Sequence, residues 1–232
     1  MKVIKMNAYM ETARFPVKLS SSPEILPLPP YSTVIGMIHN ACGWNEYHEL
    51  GLFVSGRGMQ NQDFQLLWQG GSQFKKLSGE QKKRWSVIVE QNGIYTGFIQ
   101  KPKLLYFLSD LELELYIKPE NEDFDHVYNS IKYPVEFLSL GRHEDILRID
   151  SVKIVDLQEK YEIGALKNDS YVPKQYVFDN FICAEYNINH KYEVLKDGFR
   201  RFNKIRCCYL DKDTKVYAKL FDSDNNNPVF LI

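Results

Sequence analysis

The sequence predicts an α+β fold, a domain of strands and two helices followed by a smaller β-rich part. Three observations lead there. Leu111, Leu113, Leu115 and Ile117 alternate strictly with Glu112, Glu114 and Tyr116, the period-two pattern of a half-buried strand. Val34, Ile35, Ile38, Ala41 and Cys42 recur at helical spacing, as do Phe124, Val127, Tyr128 and Ile131. After about residue 156 helical periodicity fades into short apolar runs separated by turn residues.

The elements follow in order. Met1 to Tyr9 alternates, with Ile4, Met6 and Ala8 on one face and Lys5 and Asn7 on the other, a strand rather than a signal peptide. Residues 10–30 form a polar, proline-rich loop carrying Arg14 and Lys18. Pro27, Pro29 and Pro30 hold the approach to the first helix extended. That helix runs over about 32–44, with a Ser32 or Thr33 hydroxyl as its cap and Gly43 as its stop. Leu50–Ser55 is a strand closed by a Gly56-Arg57-Gly58 turn, and Phe64–Trp68 is another ended by Gly70-Gly71. The strand at 111–117 leads to a helix capped by Asn121 and ended by Pro134. Val135–Leu140 runs into Gly141-Arg142-His143-Glu144-Asp145, and Ile146–Val155 is the next strand. Strand, helix, strand, hairpin region, strand, helix, strand is the β-α-β-β-α-β order of a ferredoxin-like, RRM-like domain over 1–155. Residues 156–232 form a smaller β-rich part, with strands at 171–178, 181–188, 205–210, 215–221 and 228–232. Asp197-Gly198, Asp211-Lys212-Asp213 and Asp222 to Asn227 supply its turns.

The 232 residues are 44% hydrophobic, enough for a sizeable core, and their net charge of −1 points to no partner by itself. Charge is instead unevenly placed. Over 71–103 seven cations, Lys75, Lys76, Lys82, Lys83, Arg84, Lys101 and Lys103, oppose only Glu80 and Glu90. Trp85, Tyr95 and Phe98 are interleaved with them, and Asn92-Gly93 supplies a hairpin turn. This predicts a protruding basic β-hairpin. A second basic stretch, 191–206, sets six cations against Glu193 and Asp197.

Cys42, Cys183, Cys207 and Cys208 lack metal-ligand spacing and read as reduced, mostly buried cysteines of a cytoplasmic protein. The five histidines, at 39, 48, 126, 143 and 190, are scattered, so neither a metal nor another cofactor is expected. Asp222-x-Asp224-x-Asn226 begins like a calcium loop but has Asn227 where glycine belongs, and reads as a polar turn. The longest apolar runs are too short to span a membrane.

Four segments occur in order: LPLPPYSTVIGMIHNA, LGLFVSGRG, KPKLLYFLSDLELELYI and PVEFLSLGRHEDIL. Together they resemble the Cas-five family of CRISPR-associated proteins, within the repeat-associated RNA-binding superfamily, and most of all its type I-B branch. The resemblance covers residues 1–155 well and the rest weakly. It implies a non-catalytic Cascade subunit that clasps the 5′ handle of the crRNA and caps the backbone-subunit filament. It also implies contact with the large subunit and with target DNA near the PAM, and a thumb at about 71–103 that bends the guide. Candidate RNA contacts are Arg14, Lys18, Ser32, Thr33, Lys82, Lys83, Arg84, Trp85, Lys101, Lys103, Arg142 and His143. Such a site needs cations for phosphates and flat rings for bases. Arg142 has an alternative as a surface ion pair with Glu144 or Asp145. In the type I-C branch the family member is instead a metal-independent processing ribonuclease. Here that would use His143 with a second group such as Tyr31 or Lys103.

Overall fold

The computed structural model describes residues 1–17, 24–71, 74–178, 181–196 and 198–232. Lys18 and Asp197 lie outside these residues. The chain divides into two compact units: Met1–Gln60 with Phe107–Ile232, and Asn61–Tyr106.

In the larger unit, β1 (Lys2–Ala13) leads to α1 (Tyr31–Cys42) and β2 (Leu50–Gly70). β4 (Ile94–Pro119), α3 (Phe124–Lys132) and β5 (Arg148–Ala165) follow the insertion of the smaller unit. The remaining strands are β6 (Ser170–Pro173), β7 (Ala184–Val194), β8 (Arg200–Leu210), β9 (Lys215–Asp222) and β10 (Pro228–Val229). Their order across the sheet is β10-β9-β5-β1-β4-β2-β6-β8-β7. At its centre, β5-β1-β4-β2 is consistent with a ferredoxin-like core, the last and third strands flanking the first. β1 pairs antiparallel with β4 on one side, Ile4 opposite Ile117, and with β5 on the other, Ile4 opposite Ile154.

The alternation of β1 is realised. Ile4, Met6, Ala8 and Met10 are buried on one face, opposite Ile117, Leu115, Leu113 and Leu111 of β4. The other face is not open. Val3, Phe53, Tyr116, Val155 and Leu157 form a second core with Leu166, Val172, Phe221 and Phe230 from the C-terminal part. The half-buried strand expected at 111–117 is therefore covered on both sides over 113–117. Lys5 points into this covering, its ammonium 2.8 Å from Asp222 and 2.9 Å from Glu114. The Tyr116 hydroxyl donates to Asp222 at 2.8 Å, and the Asn227 amide donates to Glu114 at 3.2 Å. Burial opposes the Lys5 charge, but its hydrogen bonds to Asp222 and Glu114 outweigh it and raise the pKa. Burial likewise works against the Asp222 carboxylate, yet Lys5, the Asp224 N–H and Tyr116 hold its pKa below the usual value.

Several boundaries differ from expectation, each for a local reason. α1 has Pro30 at its N-cap with no side-chain cap bond, so Ser32 and Thr33 stand inside the first turn and do not cap it. Gly43 ends it as expected, in the left-handed region at φ 67°, with N–H groups of Gly43 and Trp44 bonded to Asn40 and His39 carbonyls. The cap of α3 is Asp123 rather than Asn121. Gly56-Arg57-Gly58 is not a turn, since β2 continues through it. An added Cβ at Gly56 would lie 2.2 Å from the Glu112 carbonyl oxygen, so glycine there permits close approach of β4. Residue 155 falls inside β5, whose first part pairs with β1 and second part with β9, so the following strands extend the same sheet. Asp222 to Asn227 forms a turn, with Asp224 N–H donating to the Asp222 carboxylate. Cys183 and Cys208 are joined in a disulfide, against the reduced reading. Their Cα atoms are 5.8 Å apart, a proximity that their separation of 25 residues did not foretell. Cys42 and Cys207 are free and buried. No helix among the described residues is long and apolar enough to cross a membrane.

The smaller unit contains the second part of β2, the first part of β4, α2 (Gly79–Lys82) and β3 (Val87–Gln91). Asn92 and Gly93, at φ 52° and 73°, join β3 to β4 as a primed turn, with Gln91 opposite Ile94. Ser78 caps α2 in a reciprocal pair with Gln81. Phe74 is buried and Trp85 half-buried. A Cβ at Gly97 would come within 2.5 Å of Trp85 and 2.8 Å of Phe74, so glycine lets both rings lie on the strand.

Candidate nucleic-acid interface

In the larger unit a groove of about 850 Å³ opens over the outer face of α1. The helix buries Val34, Ile35, Ile38 and Cys42, which leaves Ser32, Thr33, Gly36, His39 and Asn40 along the groove. The loop after the helix supplies Trp44 and Tyr47, the 138–141 segment supplies Ser139 and Gly141, and the β7–β8 hairpin supplies His190, Tyr192, Arg200 and Phe202. The hairpin is set by antiparallel pairing in which Tyr192 stands opposite Phe202. Their ring centroids are 5.7 Å apart, and the Arg200 guanidinium lies 4.4 Å from the Tyr192 centroid.

Ser32, Thr33 and Gly141 thus meet in one place. Gly141 has φ 105°, and a Cβ there would sit 3.3 Å from Phe15 and 3.6 Å from the Arg14 carbonyl oxygen, which brings the Arg14 backbone to the same end. Arg142 is committed elsewhere. Its Nε and one Nη donate to Asp145 at 2.9 and 2.7 Å, and its other Nη pairs with Glu144 at 3.1 Å. Asp145 is only 1% exposed, so the guanidinium neutralises a buried carboxylate. The alternative reading of Arg142, the ion pair, is the one present. His143 is 97% exposed and touches Glu144. Tyr31, named as its helper, is buried with its hydroxyl 3.8 Å from the Cys207 sulfur. Burial raises the Tyr31 pKa well above normal and pushes the Cys207 thiol to about 11, so neither is poised to move a proton at neutral pH.

Histidines that look scattered in sequence gather around Trp44. His48 stacks on the indole at 3.9 Å and its Nδ1–H donates to the Asp123 carboxylate at 2.7 Å, and His126 lies 5.8 Å away bonded to the Cys42 carbonyl. His39 meets the His48 carbonyl oxygen at 3.1 Å, a structural role, and burial lowers its pKa. His190 is different. It is 7% exposed, and its Nε2 is the one buried side-chain nitrogen or oxygen without a hydrogen-bond partner among the described residues. Burial, with Lys191 beside it, lowers its pKa and keeps the ring neutral.

Much of the basic 191–206 stretch is neutralised. Lys191 pairs with Glu49, Arg201 with Glu193 and Arg206 with Glu185. The smaller unit contrasts with this. Lys82, Lys83, Arg84, Lys101 and Lys103 have no ion-pair partner among the described residues; Lys82 lies 5.5 Å from the Phe74 centroid and Lys75 5.8 Å from that of Tyr95. These cations sit on α2, the turn after it and β4, whereas the β3–β4 turn itself carries none. Trp85 is spent on packing against Gly71 and Gly97, and the exposed rings of this unit are Phe64, Trp68 and Tyr95.

No family profile and no curated protein sequence matches the chain. Among solved structures it is similar to a chain of a CRISPR RNA-guided surveillance complex, at 15% identity and a TM-score of 0.53, over 92% of this chain and 91% of that one. A crystallised CRISPR protein from Archaeoglobus fulgidus is 11% identical at a TM-score of 0.48, over 99% and 98% of the two chains. The first likeness shows a fold shared with a CRISPR surveillance-complex protein along nearly the whole length.

Proposed function

We propose that this chain is a non-catalytic RNA-binding and assembly subunit of a type I CRISPR Cascade complex, which holds the crRNA 5′ handle and caps the backbone filament. The observation that carries the reading is the fold shared end to end with a protein of an RNA-guided surveillance complex. Two surfaces fit such a role. The unpaired cations of the 61–106 unit suit phosphates, and the groove over α1 offers hydroxyls, rings and Arg200 to unstacked bases. The exposed Phe64, Leu66 and Trp68 suit burial against the backbone or large subunit, and target DNA near the PAM is a further partner in this reading. Burial of Tyr31 removes one of the two groups considered for ribonuclease chemistry with His143.

The test is fluorescence anisotropy with a labelled repeat RNA carrying the handle, and with the same RNA after the handle is scrambled, across a salt series. Tighter, strongly salt-dependent binding of the intact handle is expected. Equal affinity for both, or none, overturns the reading.

A further inference from the structure

Away from the groove, one cluster in the larger unit has the chemistry of a metal site. Cys183 just precedes β7 and Glu185 is its second residue, a spacing of two that puts both side chains on one side. Antiparallel register sets Glu185 opposite Cys208 of β8. The two sulfurs and a Glu185 carboxylate oxygen all lie within 4.8 Å of one another. Cys207, the next residue on β8, points the other way, its sulfur 3.8 Å from the Tyr31 hydroxyl. Cys208 is fully buried, Cys183 packs against the same core, and Glu185 stands at the rim with its side chain 30% exposed.

The surrounding charge suits a bound cation. Two thiolates and a carboxylate carry three negative charges, of which a divalent cation leaves one. Lys174 and Arg206 stand against it, their nitrogens 3.3 and 2.7 Å from the Glu185 oxygens. Such outer partners orient a ligating carboxylate, and each of its oxygens keeps a lone pair for an ion. Around a tetrahedral zinc, sulfurs at ~2.3 Å and an oxygen at ~2.1 Å from the ion lie roughly 3.5–4 Å apart. Opening the Cys183–Cys208 bond lets the three donor atoms reach that spacing by side-chain rotation.

We propose that, in the dithiol form of the chain, Cys183, Glu185 and Cys208 hold a divalent cation of zinc's class, and that the disulfide is the cation-free form of the same site. Thiolate ligands select zinc over magnesium or calcium, and three protein ligands leave a fourth position to water. Either link fastens the start of β7 to the second core, so the β7–β8 hairpin stays anchored where reducing conditions open the disulfide. Conversion needs an oxidant, and a low-molecular-weight disulfide serves. The two thiolates give it two electrons, the Cys183–Cys208 bond forms as its own S–S bond breaks, its sulfurs take up two protons, and the cation leaves.

The experiment reduces the full chain with a phosphine under inert gas and titrates it with cobalt(II), a coloured substitute for zinc. A thiolate-to-cobalt charge-transfer band that saturates at about one equivalent per chain is expected, with zinc displacing the cobalt. Oxidised glutathione is expected to discharge the band and restore the disulfide. Cys183→Ser should abolish the band, and Cys42→Ser should keep it. Glu185→Gln, a substitution at the rim, should weaken cobalt at least ~tenfold while the disulfide still forms. No band in a reduced chain with native circular dichroism overturns the site, as does a band that survives Cys183→Ser. Unchanged cobalt affinity in Glu185→Gln overturns the three-ligand assignment.

Discussion

The groove over α1 and the 61–106 unit both bring rings and cations to the surface, but they treat charge in opposite ways. Arg200, the one cation among the groove's described lining residues, lies over the Tyr192 ring, and next in sequence to lining residues Lys191, Arg201 and Arg142 are each held by a carboxylate. In the 61–106 unit Lys82, Lys83 and Arg84 have none among the described residues, and a capped short helix presents them. Paired cations contribute little long-range attraction, whereas unpaired ones displace counterions from a nucleic acid and strengthen binding at low salt. Shape and hydrogen-bonding edges therefore distinguish the first surface, and phosphate attraction the second. The larger unit also stands on a buried ionic network, Lys5 with Asp222 and Glu114, that the smaller one lacks among its described residues.

That contrast in foundations yields the largest effect. Lys5→Ala leaves two buried carboxylates without their cation and is expected to destabilise the chain by about 3–5 kcal/mol in urea unfolding. Lys83→Ala, by contrast, is expected within ~0.5 kcal/mol of wild type, as exposed substitutions usually are. A small loss at Lys5 would mean that the network does not hold the larger unit.

The contrast in charge comes next. Replacing Lys82, Lys83 and Arg84 together with alanine removes up to three phosphate contacts. The slope of log affinity against log salt for single-stranded RNA should fall by roughly 2. An unchanged slope would strip the 61–106 unit of its phosphate role. Arg142→Ala sharpens the same line from the other side. It leaves Asp145 unpaired, so a stability loss of about 1–2 kcal/mol is expected, with the salt slope unaltered. If the slope falls instead, Arg142 exchanges its carboxylates for a phosphate on binding.

The smallest effect is on pH. The folded-state pKa of Asp222 lies below its ordinary value of 3.8, so its contribution to stability is present above that pH and is lost as pH falls through the lowered value. Lys5 mirrors it, contributing below its ordinary 10.5 and losing that contribution as pH rises through the raised value. Asp222→Asn should flatten the acid limb of a stability profile; an unchanged acid limb would assign that limb to other carboxylates.

What the sequence disclosed and what it hid divide by distance along the chain. The alternation at Ile4, Met6 and Ala8 and at Leu111 to Ile117 specified the central strands, because a period of two is written in neighbouring residues. Asn92-Gly93 and Gly43 marked their turn and helix end through backbone preference alone. Arg142 and Asp145, three residues apart, made their ion pair a readable alternative. Gly56 misled, since glycine signals a turn and a close strand approach equally well. Long-range partners were invisible: Lys5 meets Asp222 across 217 residues, and the groove joins Ser32 to His190 through strand pairing no local pattern records. A signal for His190 did exist, since a histidine in the alternation of a strand is a polar residue at a buried position.

The most direct measurement is to isolate the chain from its own cells with everything bound to it, sequencing the RNA and identifying the proteins by mass spectrometry. The account predicts short repeat-derived RNAs that carry the handle, together with other CRISPR complex subunits. Recovery of the chain without such RNA and without those subunits would contradict it.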